Sequence, residues 1–242
     1  MHSLILAGGE GSRLAASGVA EPKALVPIGG VPQLLRLARV LERVGAESIT
    51  CLVRRGVSLE PVALELARLR VPVRVHECLT PSSLHTLVAG LAVVPPGDVF
   101  CTMVDTVMRP DDWLRVATET QALLAAGADA ALVVTPFVDD ERPLYVARDA
   151  LGRVTQVTDA AVPVPLVSGG VYALGPRARL AAVAALAAGQ ERMRAFLRTL
   201  VQDGHDVRAV EVAQIVDLDH RRDVDIANAW QESCDEGRSP TG

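Results

Sequence analysis

Short continuous apolar runs, rich in Val, Ile and Leu, alternate along this chain with longer stretches of helical periodicity. A run without a polar alternate face must be covered on both sides, which is how strands of a mainly parallel sheet between helical layers read. Leu4 to Ala7 is the first such run. Pro32 then opens a helix that reaches Val44, with Leu34, Leu35, Ala38, Leu41 and Val44 on one face. Strands over 48–53, 71–76, 98–104 and 130–135 interleave with helices over 59–69, 83–93 and 111–126. Asp111 reads as the cap of that third helix and Gly127 as its terminator.

After residue 135 the rhythm changes. Segments 144–148 and 154–157 flank the turn Asp149-Ala150-Leu151-Gly152 and read as an antiparallel pair. A strand over 166–173, helices over 176–188 and 191–202, a strand over 207–212, an extended segment over 215–219 and a helix over 221–231 follow. The expectation is one Rossmann-like α/β unit over 1–232, a mixed, mainly parallel sheet flanked by helices. Residues 233–242 are polar, contain Gly and Pro, and are expected to form a flexible tail.

The 242 residues suffice for a sizeable core, and with 50% hydrophobic but 3% aromatic residues that core must be built from Leu, Val, Ile and Ala. A net charge of −5 gives no global attraction to nucleic acid or to an anionic membrane, so an anionic ligand must be held locally. No apolar run approaches the ~18 residues of a membrane span. Met1-His2-Ser3 lacks the basic region of a signal peptide and reads as the start of the first strand. Four scattered cysteines without a Cys-x-x-Cys pair, and five histidines without His-x-x-x-His, argue against zinc or disulfides and for a cytoplasmic protein.

The first strand runs into Ala7-Gly8-Gly9-Glu10-Gly11-Ser12-Arg13, a glycine turn at the edge where open α/β sheets take ligands. Such a turn brings backbone N–H groups close to a phosphate. Two familiar glycine motifs fail on spacing. Leu14 stands where the dinucleotide fingerprint needs its third glycine, and Gly11 is followed by Ser12-Arg13 instead of the Lys-Ser/Thr of a P-loop. Lys23 lies close by, the single lysine among 24 Lys and Arg residues. Lysine is a compact charge on a thin stem and enters a crowded phosphate pocket that the broad arginine fork does not.

Taken together, Leu6-Ala7-Gly8-Gly9-x-Gly11-x-Arg13-Leu14, then Pro22-Lys23-x-Leu25-x-Pro27, then Gly30-Val31-Pro32 resembles the signature of the nucleotidyltransferases that activate sugar 1-phosphates, the NDP-sugar pyrophosphorylases. The resemblance implies a GT-A-like nucleotidyltransferase fold with a nucleotide-binding half over 1–105 and an acceptor-binding half over 106–232. It implies that the backbone of Leu6, Ala7, Gly8, Gly9 and Gly11 cradles the nucleotide, while Arg13 and Lys23 neutralise the triphosphate. Asp105 ends an apolar strand on the same edge and is placed to hold Mg²⁺, although Val104 stands where the family usually has glycine.

Val216-Asp217-Leu218-Asp219-His220-Arg221-Arg222-Asp223-Val224 is similar to a late family stretch whose aspartate is the second metal ligand. The alignment favours Asp217, and Asp219, two residues on and on the same face of an extended segment, is the alternative. Asp223 reads as a helix cap or surface charge, and His220 receives no role. Thr80-Pro81-Ser82-Ser83 occupies the base-binding segment: Ser82 and Ser83 either cap a helix or contact the nucleotide, and Glu77 could meet a base amino group. Val167-Ser168-Gly169-Gly170-Val171-Tyr172 resembles the acceptor-lining strand, with Gly169 and Gly170 in its middle, Gly170 allowing close approach and Ser168 donating to a hydroxyl. The lysine that binds the acceptor's phosphate in the family is absent, leaving Arg142, Arg192 or Arg194 to replace its charge.

The implied reaction joins an NTP to a small phosphorylated acceptor, a sugar 1-phosphate first, giving an NDP-sugar and pyrophosphate by Mg²⁺-assisted in-line attack. A phosphocholine, phosphonate or phospho-amino acid acceptor is the alternative. A GT-A glycosyltransferase using Asp217-Leu218-Asp219 explains less, because it leaves Arg13 and Lys23 without a task. Neither nucleic acid nor membrane is expected as a partner. A homodimer is left open by Leu180, Val183, Leu186, Phe196 and Leu200, which could be core or contact residues.

Overall fold

The structure, a computed structural model, describes residues 1–137, 142–163 and 165–236, with side chains through 230. Strand β1 (His2–Ala7) leads through a short helix α1 (Ser12–Ala16), a 3-10 turn at Lys23–Leu25 and the ribbon β2 (Pro27–Ile28) and β3 (Val31–Pro32) into α2 (Gln33–Arg43). Then come β4 (Ile49–Arg54), α3 (Glu60–Ala67), β5 (Val73–Cys78), α4 (Ser83–Val93), β6 (Val99–Met103), β7 (Thr106–Val107) and α5 (Pro110–Ala125). The second half runs β8 (Ala130–Thr135), β9 (Tyr145–Arg148), β10 (Val154–Thr158), β11 (Leu166–Leu174), α6 (Pro176–Ala187) and α7 (Met193–Gln202). It closes with β12 (Val207–Glu211), β13 (Val216–Asp217) and α8 (Arg221–Glu236).

The central sheet is ordered β10-β9-β11-β6-β1-β4-β5, with β8 paired to β11 and β12 to β8. Strands β6, β1, β4 and β5 are mutually parallel. The long β11 runs antiparallel to β6, β8 and β9 and joins the two halves. The expected antiparallel pair is β9 with β10.

Alternation along β1 explains the two core layers. Ile5 points into one with Leu34, Leu37 and Leu41 of α2, and with Trp113, which meets Phe100 edge-on at 6.4 Å. Leu4 and Leu6 point into the other, with Leu84, Leu87 and Leu91 of α4 and Phe196, Leu197 and Leu200 of α7. Each fully buried Leu or Phe contributes roughly 1.5–3 kcal/mol relative to exposure, so Phe196 and Leu200 are core residues. Leu180 and Val183 are exposed on α6. A third, smaller cluster matters more for function. Leu14, Val19, Val26 and Ile28 pack there with Val107, Leu218 and Val224, fastening the glycine-loop region to the start of α8.

The structure adds α1, the 3-10 turn, the β2–β3 ribbon and β7, all too short to show a hydrophobic period. It corrects the cap of α5, which is Arg109, with Pro110 at the first position and Asp111 and Asp112 in the first turn facing the helix dipole. Gly127, at φ 100°, follows that helix as expected. Helix α8 continues to Glu236, five residues past the expected end and into the expected tail, whose residues 237–242 lie outside the described ones. Among the described residues no helix is long and apolar enough to cross a membrane.

Candidate active site

Because β1 and β6 are parallel neighbours in the register Leu6 to Met103, the glycine turn after β1 and Asp105 after β6 emerge at the same edge. Gly11 opens α1 at φ 66°, a conformation that favours glycine, and a Cβ there would sit 3.3 Å from Cγ of Lys23. The stem of Lys23 is thus laid along the glycine turn, and its ammonium is carried to the carboxylates. Lys23 Nζ donates to Asp105 Oδ2 at 2.7 Å and to Asp219 Oδ1 at 2.6 Å. Arg13 Nη2 pairs with the other oxygen of Asp219 at 2.7 Å.

Burial by itself would lower the pKa of Lys23, but the charges of Asp105 and Asp219 and the hydrogen bonds to both outweigh it. The pKa lies above the usual lysine value, so the ammonium stays charged.

Asp219 is placed by its neighbours. Strand β13 pairs with β7 so that Asp217 lies opposite Thr106, and Leu218 N–H then donates to the Asp105 carbonyl at 3.0 Å. Leu218 is fully buried, and the Asp219 N–H turns back onto the Asp217 carbonyl at 2.8 Å. The segment is therefore not extended through Asp219, although both carboxylates line one cleft. Asp219 stands with Lys23 and Asp105, whereas Asp217 accepts from the Thr106 hydroxyl at 3.4 Å.

Asp223 is not a surface charge either. It is buried, and its Oδ2 accepts the N–H groups of Asp219 and His220 at 2.9 and 2.7 Å, capping α8 and fixing the turn that carries Asp219. Asp223→Ala should cost about 1 kcal/mol of stability, the usual value of such a cap, in urea unfolding.

An open pocket of about 550 Å³ extends from the glycine turn, lined by Leu6, Gly8, Gly9, Arg54, Thr80 and Ser82 among others. A Cβ on Gly9 would meet nothing within 4 Å, so the space above it is free, whereas one on Gly8 would press on Thr86 and Cys78. Ala7 is buried in the core beneath. The serines serve the neighbouring loop: Ser83 Oγ accepts the Met193 N–H at 3.0 Å, and Ser82 Oγ donates to the Glu191 carbonyl while still lining the pocket. Glu77 is exposed and lines a separate groove between β5 and α3, not the pocket over the glycine turn. Sequence reading missed Arg54, which ends β4 at the ligand edge and pairs with Glu10 at 2.7 Å. The signal available was its place one residue beyond an apolar run on that edge.

A second cleft, about 820 Å³, joins Arg13, Lys23, Asp105, Asp217 and Asp219 to Ser168, Gly170, Tyr172, Arg142, Arg192 and Arg194. Here the reason for the paired glycines changes. A Cβ on Gly169 would collide with Ile215, and Gly170, at φ 71°, would place one 2.5 Å from Thr106 Oγ1. Both let β11 pack against the protein itself, although Gly170 also lines the cleft. Gly170→Ala should lose ~1–3 kcal/mol through backbone strain, read by thermal or chemical unfolding. Ser168 Oγ donates to Tyr172 OH at 3.5 Å, and the exposed Arg142 offers its carbonyl to Arg194 at 3.1 Å.

Among the described residues no group of three His, Cys, Asp or Glu gathers as a metal cage. Mg²⁺ in a nucleotide site needs only one or two carboxylates, with phosphate oxygens and water completing its shell. Asp105 and Asp219 already share one cation, the Lys23 ammonium, so their donor oxygens fit that set. The three described cysteines are free, and burial pushes the thiol of Cys51 up to about 12, with Cys101 and Cys78 shifted the same way. None is an activated nucleophile.

Residues 3–207 match the MobA-like NTP transferase domain, most of the chain. The chain belongs to this family of transferases. The MobA-like transferase is 25% identical over 223 residues to the bifunctional protein GlmU of Leifsonia xyli subsp. xyli, an alignment over 87% of this chain and 45% of that protein. The chain thus spans about half the length of that curated relative. Its fold is that of the inositol-1-phosphate CTP transferase from T. maritima, with TM-score 0.77 and 18% identity over 99% of this chain and 98% of the other. A Bacillus anthracis structure described as a glucose-1-phosphate thymidylyltransferase in complex with a sucrose gives TM-score 0.79 and 16% identity over 95% and 94%. The transferase therefore has an NTP transferase domain with the expected Rossmann-like sheet.

Proposed function

We propose that this transferase joins an NTP to a phosphorylated acceptor of the sugar 1-phosphate type, forming an NDP-linked product and pyrophosphate. The observation that carries the reading is the sharing of one ammonium, Lys23, between two carboxylates at the mouth of the glycine turn. Such a centre exchanges its internal cation for a triphosphate and its metal. The acceptors in the names of the two structural neighbours, inositol 1-phosphate and glucose 1-phosphate, support a hydroxylated acceptor.

In this reading the triphosphate lies over Gly9 and the N–H groups of the turn, with the base towards Thr80 and Arg54. Lys23 and Arg13 leave Asp105 and Asp219 for the phosphates. Their charge stabilises the α-phosphate during attack and the departing pyrophosphate. Asp105 and Asp219 would hold Mg²⁺, which when bound supplies further charge neutralisation at the phosphates. An oxygen of the acceptor's phosphate attacks the α-phosphorus in line as the bond to the pyrophosphate oxygen breaks. That oxygen is already anionic at neutral pH, so no general base is needed. Catalysis is positioning plus charge.

The acceptor side favours hydroxyls over a quaternary ammonium. Recognition of choline-like groups uses several aromatic faces, and among the described residues Tyr172 is the one aromatic lining this cleft, itself almost wholly buried. The test is pyrophosphate release with each NTP against glucose 1-phosphate, inositol 1-phosphate, phosphocholine and a phosphonate. Release with a polyol phosphate and one NTP supports the reading. Transfer from a ready-made NDP-sugar without pyrophosphate would replace it with a glycosyltransferase.

A further inference from the structure

Gln33 is the first residue of α2 and is fully buried, an unusual place for a primary amide. It is hydrogen-bonded to both segments that present the charges of the site. Its backbone N–H donates to the Val26 carbonyl at 2.9 Å, just past the 3-10 turn Lys23–Leu25. Its side-chain Nε2 donates to the Thr106 carbonyl at 3.0 Å, one residue past Asp105. The second bond fills a gap in the fold. Among the described residues β7 pairs with β13 alone, and successive carbonyls of a strand point to opposite edges. The Asp105 carbonyl takes the Leu218 N–H on the β13 side, so the Thr106 carbonyl faces an edge that no described strand covers. Gln33 supplies the missing donor there. Arg36, on the same face one turn along α2, reaches the Met108 carbonyl at 3.5 Å. Gln33 Oε1 meets no partner among the described residues, so only the donating half of the amide is engaged.

We propose that Gln33 is a positioning residue that sets Asp105 at its working distance from Lys23. Both segments hang from this one residue, and the two charges meet at 2.7 Å. The proposal rests on the nucleotide reading of that pair and names the residue through which it is held. Partners of this kind, one step behind a metal-binding carboxylate, change metal affinity or activity about 10–100-fold when lost. The two bonds can also be separated. Substitution at position 33 removes the bond to Thr106 but leaves a backbone N–H on Val26, so the loss falls on Asp105 and spares Lys23.

The test titrates a non-hydrolysable NTP analogue into the whole chain by calorimetry, with and without Mg²⁺. Gln33→Met keeps the length and the apolar fit but has no donor. Its metal-free affinity should stay within about twofold, while the gain that Mg²⁺ brings should shrink about tenfold. The Mg²⁺ concentration for half-maximal pyrophosphate release should rise by a similar factor. Val62→Ala thins the core under α3 and controls for lost stability, so it should keep the full Mg²⁺ gain. Gln33→Glu is the rescue, and it carries the test alone should the Met variant not fold. A protonated carboxyl donates to the Thr106 carbonyl and an ionised one does not. Relative to the unsubstituted protein at the same pH, its Mg²⁺ gain should be near normal in acid and fall as pH rises. An undiminished gain in Gln33→Met, the same loss in Val62→Ala, or a pH-independent ratio in Gln33→Glu would overturn the proposal. If the unsubstituted protein binds the analogue with no Mg²⁺ gain, the role of Asp105 falls and that of Gln33 with it. If it does not bind the analogue at all, the nucleotide reading itself falls.

Discussion

Lys23→Arg is expected to lower turnover by about 10²–10³-fold, the usual cost of losing one preorganised charge from a transition state. The exchange keeps the charge, so the loss tests shape. Lys23 is 12% exposed, and its stem lies against the backbone of Gly11. A guanidinium needs a wider slot and cannot be shared between Asp105 and Asp219 in the same geometry. Lys23→Met should lose at least as much, and NTP affinity should fall in both because the triphosphate loses a partner. The raised pKa also fixes the sign of the pH dependence. The stability that this ammonium contributes is complete below the unfolded lysine value near 10.5 and is lost only as pH climbs through the higher folded value. No break from Lys23 belongs near neutrality. Near-normal kcat in Lys23→Arg, measured by pyrophosphate release, would remove the lysine from the chemistry.

The second large effect separates two aspartates that lie two residues apart. Asp219→Asn should reduce kcat by about 10²-fold or more and raise the Mg²⁺ concentration needed for half-maximal rate, because Asp219 shares a cation with Asp105. Asp217→Asn should cost less than about tenfold, since Lys23 and Arg13 pair with Asp105 and Asp219 and not with its carboxylate. Metal-dependent kinetics of the two variants side by side decide it. The reverse order would return the role to Asp217.

Much of this is legible in the sequence. The nucleotide edge was readable because β1 and the 98–104 run are continuous apolar strands, and strands of that kind lie parallel in the centre of a sheet. The glycine turn and Lys23 were readable because their chemistry is local in sequence. Asp219 was not, for a physical reason. The sequence pattern suggests an extended segment with residues 217 and 219 on one face and 217 favoured, but the strand ends at Asp217. The burial of Leu218 and the cap from Asp223 then turn Asp219 towards Lys23. Such a turn is set by tertiary packing in the small cluster around Leu14, Ile28 and Val107, which no period in the sequence reports.

The place of Glu77 is hidden for a related reason. In β5 successive side chains alternate between faces, and a shift of one residue decides whether a carboxylate meets the nucleotide or the outer groove beside α3. Gly169 and Gly170 stand out in the sequence, but the space they leave is taken up by Ile215 and Thr106.

The central claim is an exchange of partners at one spot: the Lys23 ammonium moves from two carboxylates to a triphosphate. A crystal structure with Mg²⁺ and a non-hydrolysable NTP tests it directly. The account predicts Lys23 Nζ on a phosphate oxygen, with Asp105 and Asp219 turned to the metal and Asp217 still beside Thr106. Lys23 still bridging Asp105 and Asp219, with the nucleotide bound elsewhere, would contradict it.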